Sequence, residues 1–272
     1  MLMAVYQKDQ PKQLIQSVES MLHQTSLPEQ IVIVEDGPVP ESLEKLLCDY
    51  ERRMGQMFTI LRCPQSGGLG SALNQGMKVC RNELIARMDA DDISKPDRCR
   101  CQLEAFASDA ELSIVGTQID EFVGDISNVV SRRVVPCTNE EIHKFMHRRS
   151  PFNHPTVMYK KSAVLGVGGY MTYRRKEDLD LFFRMLHAGC KAKNLPDSHL
   201  WYRTSDEHMM RRKSWRNCKE YVEIMYGFYR KRWISFWDMA YVLCGQLTMY
   251  LLPRPLLAVV SKTLLRKGKK NG

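Results

Sequence analysis

Leu84-Ile85-Ala86-Arg87-Met88-Asp89-Ala90-Asp91-Asp92 is a mostly apolar run that ends in three carboxylates within four positions. A short apolar run with a polar boundary reads as a buried strand. Alternate strand side chains share a face, so Asp89 and Asp91 are expected to point together at one hard cation, with Asp92 turning away into the following loop. A solvated acidic turn is the competing reading of the same residues. The pattern recurs upstream: Ile31-Val32-Ile33-Val34 stops at Glu35-Asp36-Gly37-Pro38, and Leu2 to Tyr6 makes a short first strand. Between these, Lys12 to Gln24 carries Leu14, Ile15, Val18, Met21 and Leu22 on one helical stripe. Further helices are expected at Glu41 to Arg53 and Leu69 to Cys80, with a strand at Phe58 to Arg62. Alternating β and α segments predict an α/β fold, a mostly parallel sheet flanked by helices. Ligands then collect at the carboxyl ends of strands, where Tyr6, Glu35-Asp36 and Asp89 to Asp92 fall.

After Pro96 the sequence suggests a helix from Asp97 to Phe106, a strand at Ser113 to Gln118, and polar connections through residue 150. Three unusual stretches follow: Pro-Phe-Asn-His-Pro-Thr-Val-Met at 151–158, Val167-Gly168-Gly169-Tyr170, and Lys-Glu-Asp-Leu-Asp-Leu-Phe-Phe-Arg-Met-Leu at 176–186. The last reads as a helix start whose acidic first turn suits the positive end of the helix dipole. At 272 residues the chain has room for one catalytic domain, expected over 1–210, with a nucleotide half to about residue 95 and an acceptor half over 96–210. Residues 211–272 form an appendage of different character.

Nine cysteines lack paired C-x-x-C spacing, which favours reduced thiols in the cytosol over a zinc site or a disulfide framework. His143 and His147 have helical spacing without an H-E-x-x-H frame, an ordinary surface pair. The amino terminus has no basic region before its apolar residues and no long apolar core, so no secretory leader is expected. The net charge of +9 is uneven: residues 211–272 hold 14 Lys/Arg against Glu220, Glu223 and Asp238, a net +11, which leaves the rest at −2. Within that tail the uncharged run Met239 to Leu252 is 14 residues long. A membrane span needs about 20, so an interfacial helix with a basic rim on an anionic membrane surface fits better. A helical hairpin packed on the catalytic domain is the alternative. No nucleic-acid motif accompanies the basicity.

Taken in order, Val5-Tyr6, Glu35-Asp36-Gly37-Pro38, Gly-Leu-Gly-Ser-Ala-Leu-Asn-Gln-Gly at 68–76, Asp89 to Asp92, Asn-His-Pro-Thr-Val-Met at 153–158, Gly168-Gly169-Tyr170 and Glu177-Asp178 resemble the family-two inverting glycosyltransferases of GT-A fold. Within that family the chain is most similar to the amylovoran-type enzymes of bacterial exopolysaccharide and lipopolysaccharide assembly. The resemblance spans about residues 1–215. It implies a UDP- or GDP-linked sugar donor, a Mg²⁺ or Mn²⁺ ion held by Asp89 and Asp91 around Ala90, and transfer to a polyprenyl-linked saccharide at the inner face of the cytoplasmic membrane.

By the same resemblance Tyr6 packs on the nucleobase, and Asp36, with Glu35 beside it, accepts a hydrogen bond from a base N–H. Gly68 and Asn74 contact the donor, although relatives carry arginine where Leu73 precedes Asn74 here. That departure leaves Lys78 or Arg87 to supply charge, each otherwise a solvated basic side chain. Asp178 is the expected general base, with Glu177 beside it to bind acceptor or to raise its proton affinity. His154, Gly169 and Tyr170 are expected to wall the sugar or acceptor pocket. Two other classes compete: a nucleotidyltransferase, for which residues 1–15 lack the basic glycine-rich signature, and a silent nucleotide-sugar-binding protein, for which the metal and base carboxylates would be dispensable.

Overall fold

The computed structural model describes residues 1–173, 175–205 and 214–252. Four parallel strands, β1 (Leu2–Val5), β2 (Ile31–Glu35), β3 (Phe58–Arg62) and β4 (Leu84–Met88), lie in the order β3-β2-β1-β4. Met3 pairs with Ile33, and Ile33 with Ile60. Successive strand side chains point to opposite faces, so each strand feeds two cores. Met3, Val5, Ile31 and Ile33 pack with helices α1 (Pro11–Leu22) and α2 (Glu41–Met54), whereas Leu2, Val32 and Val34 pack with α3 (Leu69–Val79). Helices on both faces account for strands that are apolar throughout. A Cβ at Gly76 would overlap Leu2 and Val34, so the close approach of α3 to β1 and β2 depends on that glycine.

Beyond β4 the chain adds β5 (Ile93–Ser94), α4 (Arg98–Ser108), β6 (Leu112–Phe122), β7 (Val129–Arg133), α5 (Asn139–Met146), β8 (Met158–Lys160), α6 (Lys161–Gly166), α7 (Glu177–His187) and β9 (Lys191–Arg203). β8 pairs antiparallel with both β4 and β6, β6 runs parallel to β9, and β9 is antiparallel to β5. The sheet therefore reads β3-β2-β1-β4-β8-β6-β9-β5, with β7 hairpinned on β6. The α/β expectation holds, with parallel pairing through the first four strands and mixed pairing beyond them.

Three features depart from the sequence reading. The strand expected at Ser113 to Gln118 extends to Leu112–Phe122. β9 was hidden because Pro196 and several charged residues interrupt any two-residue period, and its pairing with β6 shifts register. The polar connection before residue 150 contains α5, whose Thr138 side chain caps Glu141 N–H in a capping box. Buried polar braces tie this half together. The fully buried Arg98 donates to Arg87 O at 2.6 Å and to Gln102 Oε1 at 3.1 Å, and Gln102 donates to Val115 O and Thr156 O.

Helix α8 (Trp215–Arg230) packs Ile224, Met225 and Phe228 into the same core as α7, with Phe183 and Phe228 stacked at 3.9 Å between ring centroids. Helix α9 (Phe236–Leu251) buries only Val242 and Asp238, the latter held by Arg148 at 2.7 Å. It exposes Phe236, Trp237 (76%), Tyr241 and Leu251. Among the described residues no helix is long and apolar enough to cross a membrane. The boundary expected at residues 210 and 211, and the basic residues from Arg254 to Lys270, lie outside the described residues.

Candidate active site

Strand β4 ends at Met88, and Ala90-Asp91 makes a turn. The turn is pinned from two sides. Ser17 Oγ of α1 donates to Asp89 O at 2.7 Å, while Arg203 at the end of β9 donates through Nε to Asp91 O and through its backbone N–H to Asp92 Oδ1, both at 2.8 Å. Carboxylate oxygens of Asp89, Asp91 and Asp92 consequently lie within 4.8 Å of one another. The expectation for Asp92 needs correction: the turn, not strand alternation, gathers the carboxylates, and Asp92 is fully buried rather than turned into a loop.

Burial, followed by the charge of Asp89, pushes the Asp91 carboxyl up to about 6. Burial and then Asp91 and Asp89 push Asp92 well above the carboxylate range. Asp92 Oδ2 is buried with no hydrogen-bond partner among the described residues. Crowded oxygen donors with one orphaned atom fit a hard divalent cation such as Mg²⁺ or Mn²⁺. The sequence reading missed Asp9, just past β1: burial and the charges of Asp91 and Asp89 raise its carboxyl to about 7, and its Oδ2 accepts Tyr6 N–H at 2.9 Å. Only its place after a parallel strand could have signalled it.

At the end of β2, Glu35 and Asp36 diverge. Asp36 accepts from Ser66 Oγ at 2.8 Å and from the N–H groups of Gly67 (2.7 Å) and Gly68 (3.1 Å), thereby anchoring the glycine loop ahead of α3. Gly68 adopts φ +84°, open to glycine without strain. Glu35 instead turns to the α2 face, 3.5 Å from Arg62, where burial and Glu44 push its carboxyl up to about 7. It does not sit beside Asp36, because neighbouring residues at a strand end face opposite ways. Tyr6 stands 39% exposed past the end of β1.

Asn74 also departs from its expected donor contact. Its amide grips the backbone of Tyr170, donating to the carbonyl at 2.8 Å and accepting the N–H at 2.9 Å. Gly169 has φ +70°, and a Cβ there would lie 2.6 Å from Asn74 Oδ1, so this clasp requires glycine. Leu73 is wholly in the core.

The clasp joins α3 to the glycine turn ahead of α7. A Cβ at Gly70, in the first turn of α3, would meet Tyr170 Cβ at 3.2 Å and Glu177 Cβ at 3.3 Å, which puts the starts of α3 and α7 in contact. Glu177 is buried and Asp178 half-buried. Burial, then the Asp178 charge, pushes the Glu177 carboxyl up to about 7, and its Oε2 has no hydrogen-bond partner among the described residues. One turn on, Asp180 pairs with Arg184 at 2.6 Å, and Arg184 donates to Val167 O and to Gly169 O, holding the glycine turn against α7.

His154 and Tyr170 lie beneath this surface rather than walling a pocket. Both are buried, and His154 Nε2 and Tyr170 OH are 3.0 Å apart. Burial and then the Arg87 charge hold the His154 imidazole well below its ordinary range, hence neutral. Arg87 is itself the largest correction: expected in solvent, it is 1% exposed and ion-paired to Asp89. β4 sits between β1 and β8 with both faces covered, so a side chain at position 87 has no route to water. Lys78, by contrast, is exposed on α3, bonded to Gln75 at 3.0 Å.

Known proteins resemble this chain in sequence and in fold. A galactosyltransferase of Escherichia coli, the UDP-Gal:alpha-D-GlcNAc-diphosphoundecaprenol beta-1,3-galactosyltransferase, is 31% identical over 267 residues, covering 98% of this chain and 96% of its own. The amylovoran biosynthesis glycosyltransferase AmsE of Erwinia amylovora is 33% identical over 223 residues, 82% of either chain. In fold, the mannosyltransferase PcManGT from Pyrobaculum calidifontis, solved with GDP-Man and Mn²⁺, superposes with a TM-score of 0.63 at 13% identity, over 96% of this chain and 72% of that one. Residues 1–182 match the model of the glycosyl transferase family 2, and the chain belongs to that family.

Proposed function

We propose that this protein transfers a sugar, with inversion, from a nucleoside-diphosphate donor to a lipid-linked saccharide in bacterial cell-surface polysaccharide assembly. The observation that carries the reading is the contact between the two halves. The Asp89–Asp92 carboxylates and the Asp36-anchored glycine loop close the donor half, and Gly70 abuts Glu177 at the start of the acceptor half. Asp89 and Asp91 would hold the divalent ion, with Asp92 completing the oxygen set. When bound, the ion supplies charge compensation for the departing diphosphate. Tyr6, exposed past β1, offers a ring for the base. The glycine loop, lacking Cβ atoms, lets backbone N–H groups approach phosphate closely.

The remaining requirement is a base for the acceptor hydroxyl. Asp178 is the more exposed member of its pair and thus reachable by an acceptor, while Glu177 remains beneath it as a like-charged neighbour. The proton passes from the attacking hydroxyl to Asp178 as the anomeric bond to the diphosphate breaks on the opposite face. One observation favours exchanged roles: Glu177, at about 7, is poised for proton transfer near neutral pH.

A lipid-linked acceptor is supported by the E. coli relative, which acts on a diphosphoundecaprenol-linked sugar. The aromatic face of α9, with Lys231 and Arg232 before it, suits adsorption to an anionic inner membrane surface. The test is release of nucleoside diphosphate from a panel of UDP- and GDP-sugars with Mg²⁺ or Mn²⁺, with and without synthetic polyprenyl-diphosphate saccharides. Asp91→Asn should abolish metal-dependent donor binding. No release from any donor, or a metal response intact in Asp91→Asn, overturns the reading.

A further inference from the structure

Arg87 is a guanidinium buried almost completely in the sheet, yet among the described residues its five N–H donors meet one ion-pair partner, Asp89. Nε and Nη1 have no hydrogen-bond partner among the described residues. A buried charge with most donors unmatched is expensive unless surrounding anions balance it. Asp89 is its ion-pair contact among the described residues, and the charges of Asp92 and Glu177 act on it through the buried interior from both halves of the site. Asp89 and Asp92 lie on the donor side, and Glu177, with its own unmatched Oε2, on the acceptor side. The hydroxyl of Tyr170 and the neutral ring of His154 stand within the same field.

We propose that Arg87 is a positioning residue shared between the two carboxylate sets, so that occupation of the metal turn and the charge of Glu177 are energetically coupled through it. The inference rests on the metal reading of the Asp89–Asp92 turn. An ion on Asp89 competes with Arg87 for that carboxylate. Arg87 is then left to be balanced by Glu177, which becomes easier to hold as an anion when the metal is in place. Linkage makes the effect reciprocal: a change at Glu177 must alter metal affinity although Glu177 is not a ligand. Functionally, the acceptor-side carboxylates would be tuned only once the donor half is loaded, which disfavours idle chemistry in the empty enzyme.

The test is a mutant cycle read as Mn²⁺ affinity, measured on the whole chain from the paramagnetic resonance signal of free Mn²⁺ and requiring no turnover. Glu177→Gln removes the acceptor-side anion, so Arg87 neutralises Asp89 more fully and Mn²⁺ affinity should fall by about fivefold, the lower end of typical coupling between sites. In an Arg87→Met background the same Glu177→Gln change should shift affinity by less than about twofold, because the mediator is gone. A fivefold effect that persists without Arg87 is a direct field between Glu177 and the ion and overturns the coupling. If Arg87→Met does not fold, the wild-type comparison still decides: wild type binding Mn²⁺ with Glu177→Gln indistinguishable from it refutes the coupling alone. Wild type that binds no Mn²⁺ removes the metal reading and the coupling with it.

Discussion

Replacing Asn74 by alanine separates two roles for this residue, contact with a donor and attachment of the Gly169-Tyr170 turn to α3. The side chain makes two hydrogen bonds to the Tyr170 backbone, 2.8 and 2.9 Å long, beside a residue that is itself buried. Removing one partner of a buried pair costs about 1–3 kcal/mol per unmatched group, and because both bonds are only part-buried the substitution should destabilise by about 2–4 kcal/mol, the lower part of that sum. For a chain of this size, at about 2–4 °C per kcal/mol, the melting temperature should fall by on the order of 10 °C. Asn74→Asp keeps the acceptor for Tyr170 N–H and loses the donor, so it should fall between wild type and alanine. Differential scanning calorimetry gives the stability, and titration with UDP or GDP below the transition gives nucleotide affinity. A melting temperature within about 1 °C of wild type together with a tenfold loss of nucleotide affinity would refute the clasp and return Asn74 to the donor site.

Three further outcomes follow from the site and the tail. Asp178→Asn should lower turnover by roughly 10²- to 10⁴-fold with little change in donor affinity; parent-level transfer in Asp178→Asn, with Glu177→Gln inactive, exchanges the two roles. Glu35 has its folded value raised to about 7, so its stabilising contribution is complete below the ordinary glutamate range near 4.5 and is lost as pH rises through about 7. Thermal melts of Glu35→Gln should therefore gain on wild type between pH 5 and 8, and a constant difference across that range would show that Arg62 already balances the charge. Trp237→Ser with Tyr241→Ser, both on the exposed face of α9, should leave the melting temperature unchanged but reduce flotation with anionic vesicles; equal flotation assigns that face another occupant.

The first half of the fold was legible because a strand covered on both faces is mostly apolar, as Ile31 to Val34 is throughout and Leu84 to Met88 is apart from Arg87. Helix ends came within two residues where amphipathic stripes stop. What escaped were elements whose pairing comes from distant sequence: β8 is three residues long, and β9 contains Pro196 and shifts register against β6. The carboxylates of the Asp89–Asp92 turn were visible as residue types, but the way they converge was not, since it depends on Ser17 and Arg203 gripping backbone carbonyls. Arg87 was misplaced for a related reason. A lone arginine in an apolar strand looks solvated until the distant segments that bring His154 and Tyr170 over its face of the sheet are known.

Arg203 gives the Asp89–Asp92 turn a dependence on chain order. It is the last residue of the last strand, lies beyond the 182 residues that the family model matches, and holds both Asp91 O and the Asp92 carboxylate. A nascent chain therefore emerges with every acidic motif already made while the loop that should gather them is still unfastened. The turn is fastened only when synthesis has passed β9 and the sheet has closed across β6. A fragment trimmed to the recognisable family segment would retain Asp89, Asp91, Asp92, Glu177 and Asp178 and yet lack the latch on Asp91 and Asp92, so the smallest unit able to hold this turn as the whole chain holds it is longer than the one that motif content would delimit.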